Sequence, residues 1–155
     1  MRRVLFAFAI ATALLVMCSA TASAATRAVH KGSSKVGIVE PLDSGGWGVF
    51  KGASGPYEWK ATVTYVSSTH YDVLPPGPTG GSTPLGKVVR VKVNGVYRWK
   101  ISRYVDGSYK PVGFARTRSG GGWNIRHRWH GKTIGYVGGG RAGPAGGAGL
   151  RLLLW

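Results

Sequence analysis

From Lys35 onward, apolar and polar residues alternate in short runs, most of them bounded by glycine, proline, asparagine or aspartate. The period is two, that of a strand with one buried face. Eight runs fit: KVGIVE (35–40), GWGVFKG (46–52), YEWKATVTYVS (57–67), KVVRVKV (87–93), VYRWKISRYV (96–105), SYKPVGFARTR (108–118), WNIRHRWH (123–130) and KTIGYV (132–137). No segment before Ala142 has a helical period. The pattern predicts an all-β domain, an antiparallel meander closing into a small barrel or sandwich.

The turns between runs test which side chains share a face, because a slip of one residue turns every core residue to solvent. At Asn94-Gly95 a two-residue loop pairs Val91 with Arg98 and Arg90 with Trp99, mixing charge and apolar groups on both faces. A three-residue loop, Val93-Asn94-Gly95, pairs Val91 with Tyr97 and Val89 with Trp99 and leaves one face apolar. That argument favours the three-residue loop with a glycine bulge. At Asp106-Gly107 a two-residue loop pairs Ile101 with Val112 and Trp99 with Phe114. At Gly131-Lys132 another pairs Trp129 with Ile134 and His127 with Tyr136.

These registers give an expected core of Val89, Val91, Tyr97, Trp99, Ile101, Val112, Phe114, Trp123, Ile125, Trp129 and Ile134. The earlier run adds Tyr57, Trp59, Ala61, Val63 and Tyr65. The opposite face then carries Lys60, Arg90, Lys92, Arg98, Lys100, Arg126, Arg128 and His130, apart from Tyr104 and Tyr109 paired across Asp106-Gly107.

Three segments interrupt the alternation. Residues 25–34 read as a flexible lead-in to a single domain over 35–155. Tyr71 to Gly86, YDVLPPGPTGGSTPLG, holds Pro75, Pro76, Pro78 and Pro84. Proline cannot donate a ladder hydrogen bond, so this segment reads as a long disordered loop. The terminal LRLLLW is apolar apart from Arg151. It reads as a short helix or a closing strand packed on or inside the barrel, with helix preferred for Leu150 to Trp155. Tyr-x-Trp-Lys occurs at both 57–60 and 97–100, explained by two core strands meeting the same demand rather than by duplication.

The N-terminus changes the picture. Arg2 and Arg3 precede the apolar run VLFAFAIATALLVMC, and Ala22-Ser23-Ala24 is an A-x-A cleavage pattern. Residues 1–24 are read as a signal peptide, so the protein is expected to be secreted or attached to the cell envelope. The apolar run is short for a membrane span, and no transmembrane segment is expected in the mature chain. The single cysteine, Cys18, lies in that run. The mature chain therefore has no disulfide or thiolate metal site, and its stability must come from a core. The whole chain has 21 Lys and Arg against 5 acids. Without Arg2 and Arg3, 19 face the same 5, a net charge of +14. Such a chain repels itself and is drawn to polyanions.

Candidate chemistry is sparse. Gly138-Gly139-Gly140-Arg141-Ala142-Gly143 matches G-x-G-x-x-G. A dinucleotide turn also needs a parallel βαβ unit and an acid about 20 residues on. The runs before it are hairpins and no acid follows it, so no cofactor is expected. His127 and His130 have H-x-x-H spacing but point to opposite faces of a strand. No metal site is expected, and His127 reads as a core histidine bonded to Tyr136. The acids Glu40, Asp43, Glu58, Asp72 and Asp106 form no recognisable catalytic set, and no catalytic residue is assigned.

The basic sheet face remains. Arg90, Lys92, Arg98, Lys100, Arg126 and Arg128 are the candidate binding residues. The expected partner is an anionic polymer or surface, such as cell wall or lipid headgroups. Single-stranded nucleic-acid binding is disfavoured, because most aromatics are expected to point inward, and specific nucleic acid is not an expected partner. The function expected is non-catalytic adhesion to anionic envelope or extracellular polymers. The rivals are a secreted enzyme with an unrecognised site and a cationic effector acting on membranes or nucleic acid.

Overall fold

The alternating runs all form strands, and two further strands join them. In a computed structural model the ten strands make one closed antiparallel barrel in which each strand pairs with the next and the last pairs with the first. The structure describes residues 26–78, 81–128, 131–138 and Arg151. The strands are β1 (Arg27–Lys31), β2 (Ser34–Pro41), β3 (Trp47–Lys51), β4 (Glu58–Ser67), β5 (His70–Leu74), β6 (Gly86–Val93), β7 (Val96–Val105), β8 (Ser108–Thr117), β9 (Trp123–Arg126) and β10 (Thr133–Val137). The all-β meander is thus a barrel closed at the β1–β10 seam, where Val29 faces Val137 and His30 faces Tyr136.

Each strand sends at least one small or β-branched residue into the lumen. Val29, Val39, Val49, Val63, Val73, Val88, Ile101, Ala115, Ile125 and Val137 are 0–2 % exposed and form one cluster. Glycines make room for the larger members. Gly37 stands opposite Val29, Gly113 opposite Ile101, and Gly135 opposite Ile125. Alternating large and small residues is how a narrow barrel fills its interior.

Several details differ from the sequence expectation. Residues Arg27–Lys31, expected as flexible lead-in, are strand β1. A tight turn at Gly32 (φ 58°) returns the chain into β2. His70–Leu74 is strand β5, so the proline-rich connection runs only from residue 75 to 85. Its described part is fastened to the barrel: Thr62 Oγ1 donates to the Gly77 carbonyl at 2.6 Å, and Ser44 Oγ to the Pro78 carbonyl at 2.6 Å.

The Asn94-Gly95 turn has two residues. Both are left-handed (φ 49° and 78°), as a type I′ turn requires, and Val91 pairs with Arg98 and Arg90 with Trp99. The pairing set aside for mixing both faces is therefore the real one. Val89 and Val91 point outward, while Arg90 and Lys92 lie on the inward side. Asp106-Gly107 is the expected two-residue turn (φ 49° and 76°). A register shift between Ile101 and Ser102 then leaves Val112 as an extra residue on β8. Ile101 thus meets Gly113 and Trp99 meets Ala115, and Phe114 turns outward. Pro111 sits beside that shift, where a missing N–H is tolerated.

β9 ends at Arg126, and Ile125 pairs with Gly135 and Asn124 with Tyr136. The connection therefore spans 127–132 rather than two residues. His127 is exposed, not in the core, and its Nδ1 lies 3.2 Å from Arg151 Nη2. Tyr136 stacks instead on His30, with ring centroids 4.5 Å apart.

The two Tyr-x-Trp-Lys segments also diverge. A register shift beside Val49 pairs Trp59 with Phe50, and their rings stack at 5.3 Å on the outer side. Trp99 faces inward against Tyr71. Tyr65 and Tyr97, expected in the core, are 59 % and 56 % exposed. The expected signal peptide (residues 1–24), Trp129, His130, residues 139–143 of the glycine motif and the LRLLLW helix-or-strand assignment, Arg151 aside, lie outside the described residues.

Candidate polyanion-binding face

The outer surface of β7, β8 and β9 carries a cluster of guanidinium groups. Arg98 alternates with inward Trp99, Arg116 with inward Ala115, and Arg126 with inward Ile125. The Trp99–Ala115 pair sets Arg98 and Arg116 side by side one residue further on. Arg116 faces Asn124, and Arg126 faces Phe114, so Arg126 lies diagonally across from Arg116. Such diagonal neighbours are about 7–8 Å apart, within reach of long side chains.

The crowding has an electrostatic signature. The Arg98 guanidinium is pushed below the ordinary arginine value, first by partial burial and then by the like charges of Arg116 and Arg126. Arg126 Nε is buried and makes no hydrogen bond. Lys100 extends the same face, opposite Val89 on one side and Phe114 on the other. It borders a groove of about 380 Å³ lined also by Val91, Val93, Pro111 and Phe114. Cations thus flank an apolar floor on one outer face.

Of the six expected binding residues, the fold brings together Arg98, Lys100 and Arg126. Arg90 and Lys92 lie on the opposite side of their strand, packed over the Tyr97 ring at 4.1 and 5.6 Å. Arg128 is exposed in the β9–β10 connection, where its carbonyl accepts from Gly131 N at 3.0 Å. Arg116 was not among the candidates. With Phe114 assigned inward, Arg116 would share its buried face. Pro111 in the middle of the run was the available sign of a register shift.

The acids lie elsewhere. Glu58 pairs with Lys60, Asp72 with His70 at 3.0 Å, and Asp106 with Lys110 at 3.9 Å. Glu40 accepts from Thr26 at 3.5 Å, at the other end of the barrel from Glu58. Among the described residues no group of three or more His, Cys, Asp and Glu gathers as a metal site would need. No helix among them is long and apolar enough to cross a membrane. No family model matches the chain, and no significant match is found among curated proteins or solved structures.

Proposed function

We propose that this is a secreted, non-catalytic binding module that adheres to anionic polymers of the cell envelope or its surroundings through the outer face of β7–β9. The observation that carries this reading is the clustering of Arg98, Arg116 and Arg126 on three successive strands. Like charges brought together cost free energy in the free protein. A multivalent anion offsets that cost and accepts from several guanidinium donors at once. The mature chain's net charge of +14 supplies long-range attraction, and the cluster supplies the place of contact.

The test is retention on purified cell wall, anionic lipid vesicles and a soluble polyanion across a salt series. Wild type is compared with Arg98→Gln/Arg116→Gln/Arg126→Gln. Retention that falls with salt, and a shallower salt dependence in the variant, support the module. Equal retention of both proteins at physiological salt would sink it. Retention by vesicles alone would identify the apolar groove as a lipid contact.

A further inference from the structure

One end of the barrel is built differently from its valine-lined middle. There the inward positions of β3, β5, β7 and β9 are Trp47, Tyr71, Trp99 and Trp123, all half-buried against the core cluster. Tyr97 continues the β7 row outward, Tyr65 stands beside Tyr71 on β4, and both are mostly exposed. The rings are linked. Tyr65 meets Tyr71 at 5.6 Å and 78°, and Tyr71 meets Trp99 at 5.5 Å and 69°. Arg90 faces Trp99, and Lys92 faces Tyr97. The result is a mouth of aromatic rings edged with cations, on the reverse side of β6 and β7 from the Arg98 face.

The chemistry of this mouth selects a class of ligand. Arg90 packs over the Tyr97 ring at 4.1 Å, yet Tyr97 and Tyr65 both remain more than half exposed, so ring surface is open for stacking at the rim. Arg90 and Lys92 are donors only and hold no acceptor. Among the described inward strand positions at this end there is no carboxylate or carboxamide. A sugar hydroxyl both donates and accepts, so cations match only its acceptor side, whereas a phosphodiester presents acceptors alone and is matched by them fully. Stacking rings combined with cations suit a ring-bearing phosphate, the combination by which single strands are held without sequence readout.

We propose that this mouth binds an unpaired nucleotide of single-stranded nucleic acid, its base stacked on Tyr97 and the neighbouring rings and its phosphate held by Arg90 and Lys92. The site is separate from the outer arginine cluster, and the inference does not rest on that reading.

The test uses the full chain and follows tryptophan fluorescence while titrating a ten-residue oligothymidylate. An abasic oligomer of equal length and charge and a neutral oligosaccharide serve as the other probes. The expected result is quenching by the oligothymidylate, with binding at least about fivefold tighter than that of the abasic oligomer. Tyr97→Ala and Tyr65→Ala, both at exposed positions, should each reduce that preference. Arg90→Gln should weaken the oligothymidylate further. Arg98→Gln/Arg116→Gln/Arg126→Gln should weaken both oligomers equally and preserve their ratio. Equal binding of the two oligomers would overturn the proposal. So would a preference unchanged in both tyrosine variants, or displacement of the oligothymidylate by the neutral sugar. Loss of the ratio in the triple variant alone would assign base stacking to the outer face and end the proposal as well. Failure of the outer-face reading has a different mark: the triple variant binds the abasic oligomer as wild type does.

Discussion

Arg90 stands directly opposite Trp99 on the inward side of the β6–β7 hairpin. A guanidinium and an indole as cross-strand neighbours look unfavourable if one face must be wholly apolar. They are compatible because both residues sit near the end of the barrel, where the lumen opens. Further in along the same strands, Val88 faces Ile101, and both are at most 1 % exposed. The apolar requirement therefore applies to the middle of each strand and not to its whole length. That relation fixes the outward direction of Val89, Val91, Arg98 and Lys100, and with it the candidate binding face.

The register makes a direct prediction about stability. Ile101→Ala should cost about 3 kcal/mol, because Gly113 opposite cannot fill the void. Val89→Ala should cost about 1 kcal/mol or less, since the side chain lies on the outer face. Denaturant midpoints of the two variants check this. Comparable losses would place Val89 in the core and refute the two-residue turn.

Two glycines should respond differently to alanine. Gly95 has φ 78° and open space around an added Cβ, so Gly95→Ala should cost about 1 kcal/mol from backbone strain alone. Gly122 has φ 86°, and an added Cβ there would collide with the Val137 carbonyl. Gly122→Ala combines strain with overpacking, on the order of 3 kcal/mol. Equal melting temperatures for the two variants would contradict the close approach of the β8–β9 turn to β10.

The proline-rich connection should open when its anchor is removed. Thr62 is 1 % exposed and donates to Gly77. Thr62→Val keeps the shape and removes the donor, at a cost of about 1 kcal/mol. Faster proteolytic cleavage within residues 75–85 is expected, with the barrel strands still protected. An unchanged cleavage rate would show that the hydrogen bond does not hold the loop.

The all-β class was legible because nearly every strand repeats with period two, and Asp106-Gly107 announced its turn by composition. Asn94-Gly95 announced a turn as clearly. Its length is not legible, because a uniformly apolar face over Val89, Val91, Tyr97 and Trp99 favours three residues where the barrel has two. β1 was missed although Gly32-Ser33 separates it from β2 as a short hairpin turn would. β5 was missed because its five residues run straight into Pro75. Arg98, Lys100 and Arg126 were found because strand alternation alone places them. Arg116 depends on a register shift at Val112, of which Pro111 is the one sign in the sequence and which the pairing with β7 places. The aromatic mouth was hidden by the same error that turned Arg90 outward.

The barrel should also lose stability at alkaline pH through Tyr71. Burial raises its pKa above the ordinary value of 10, and the charge of Tyr65 raises it further. The folded state thus holds the phenol proton more tightly than the unfolded chain. The stability this contributes is fully present below pH 10, and it is lost as the pH rises through the raised value. Tyr71→Phe cannot ionise, so between about pH 9 and pH 11 its stability should fall less than that of wild type. Lysine deprotonation and the raised Tyr109 act in both proteins and cancel in the difference. Parallel curves of denaturant midpoint against pH would show that Tyr71 meets the same surroundings folded and unfolded. They would remove it from the half-buried inward position between Tyr65 and Trp99.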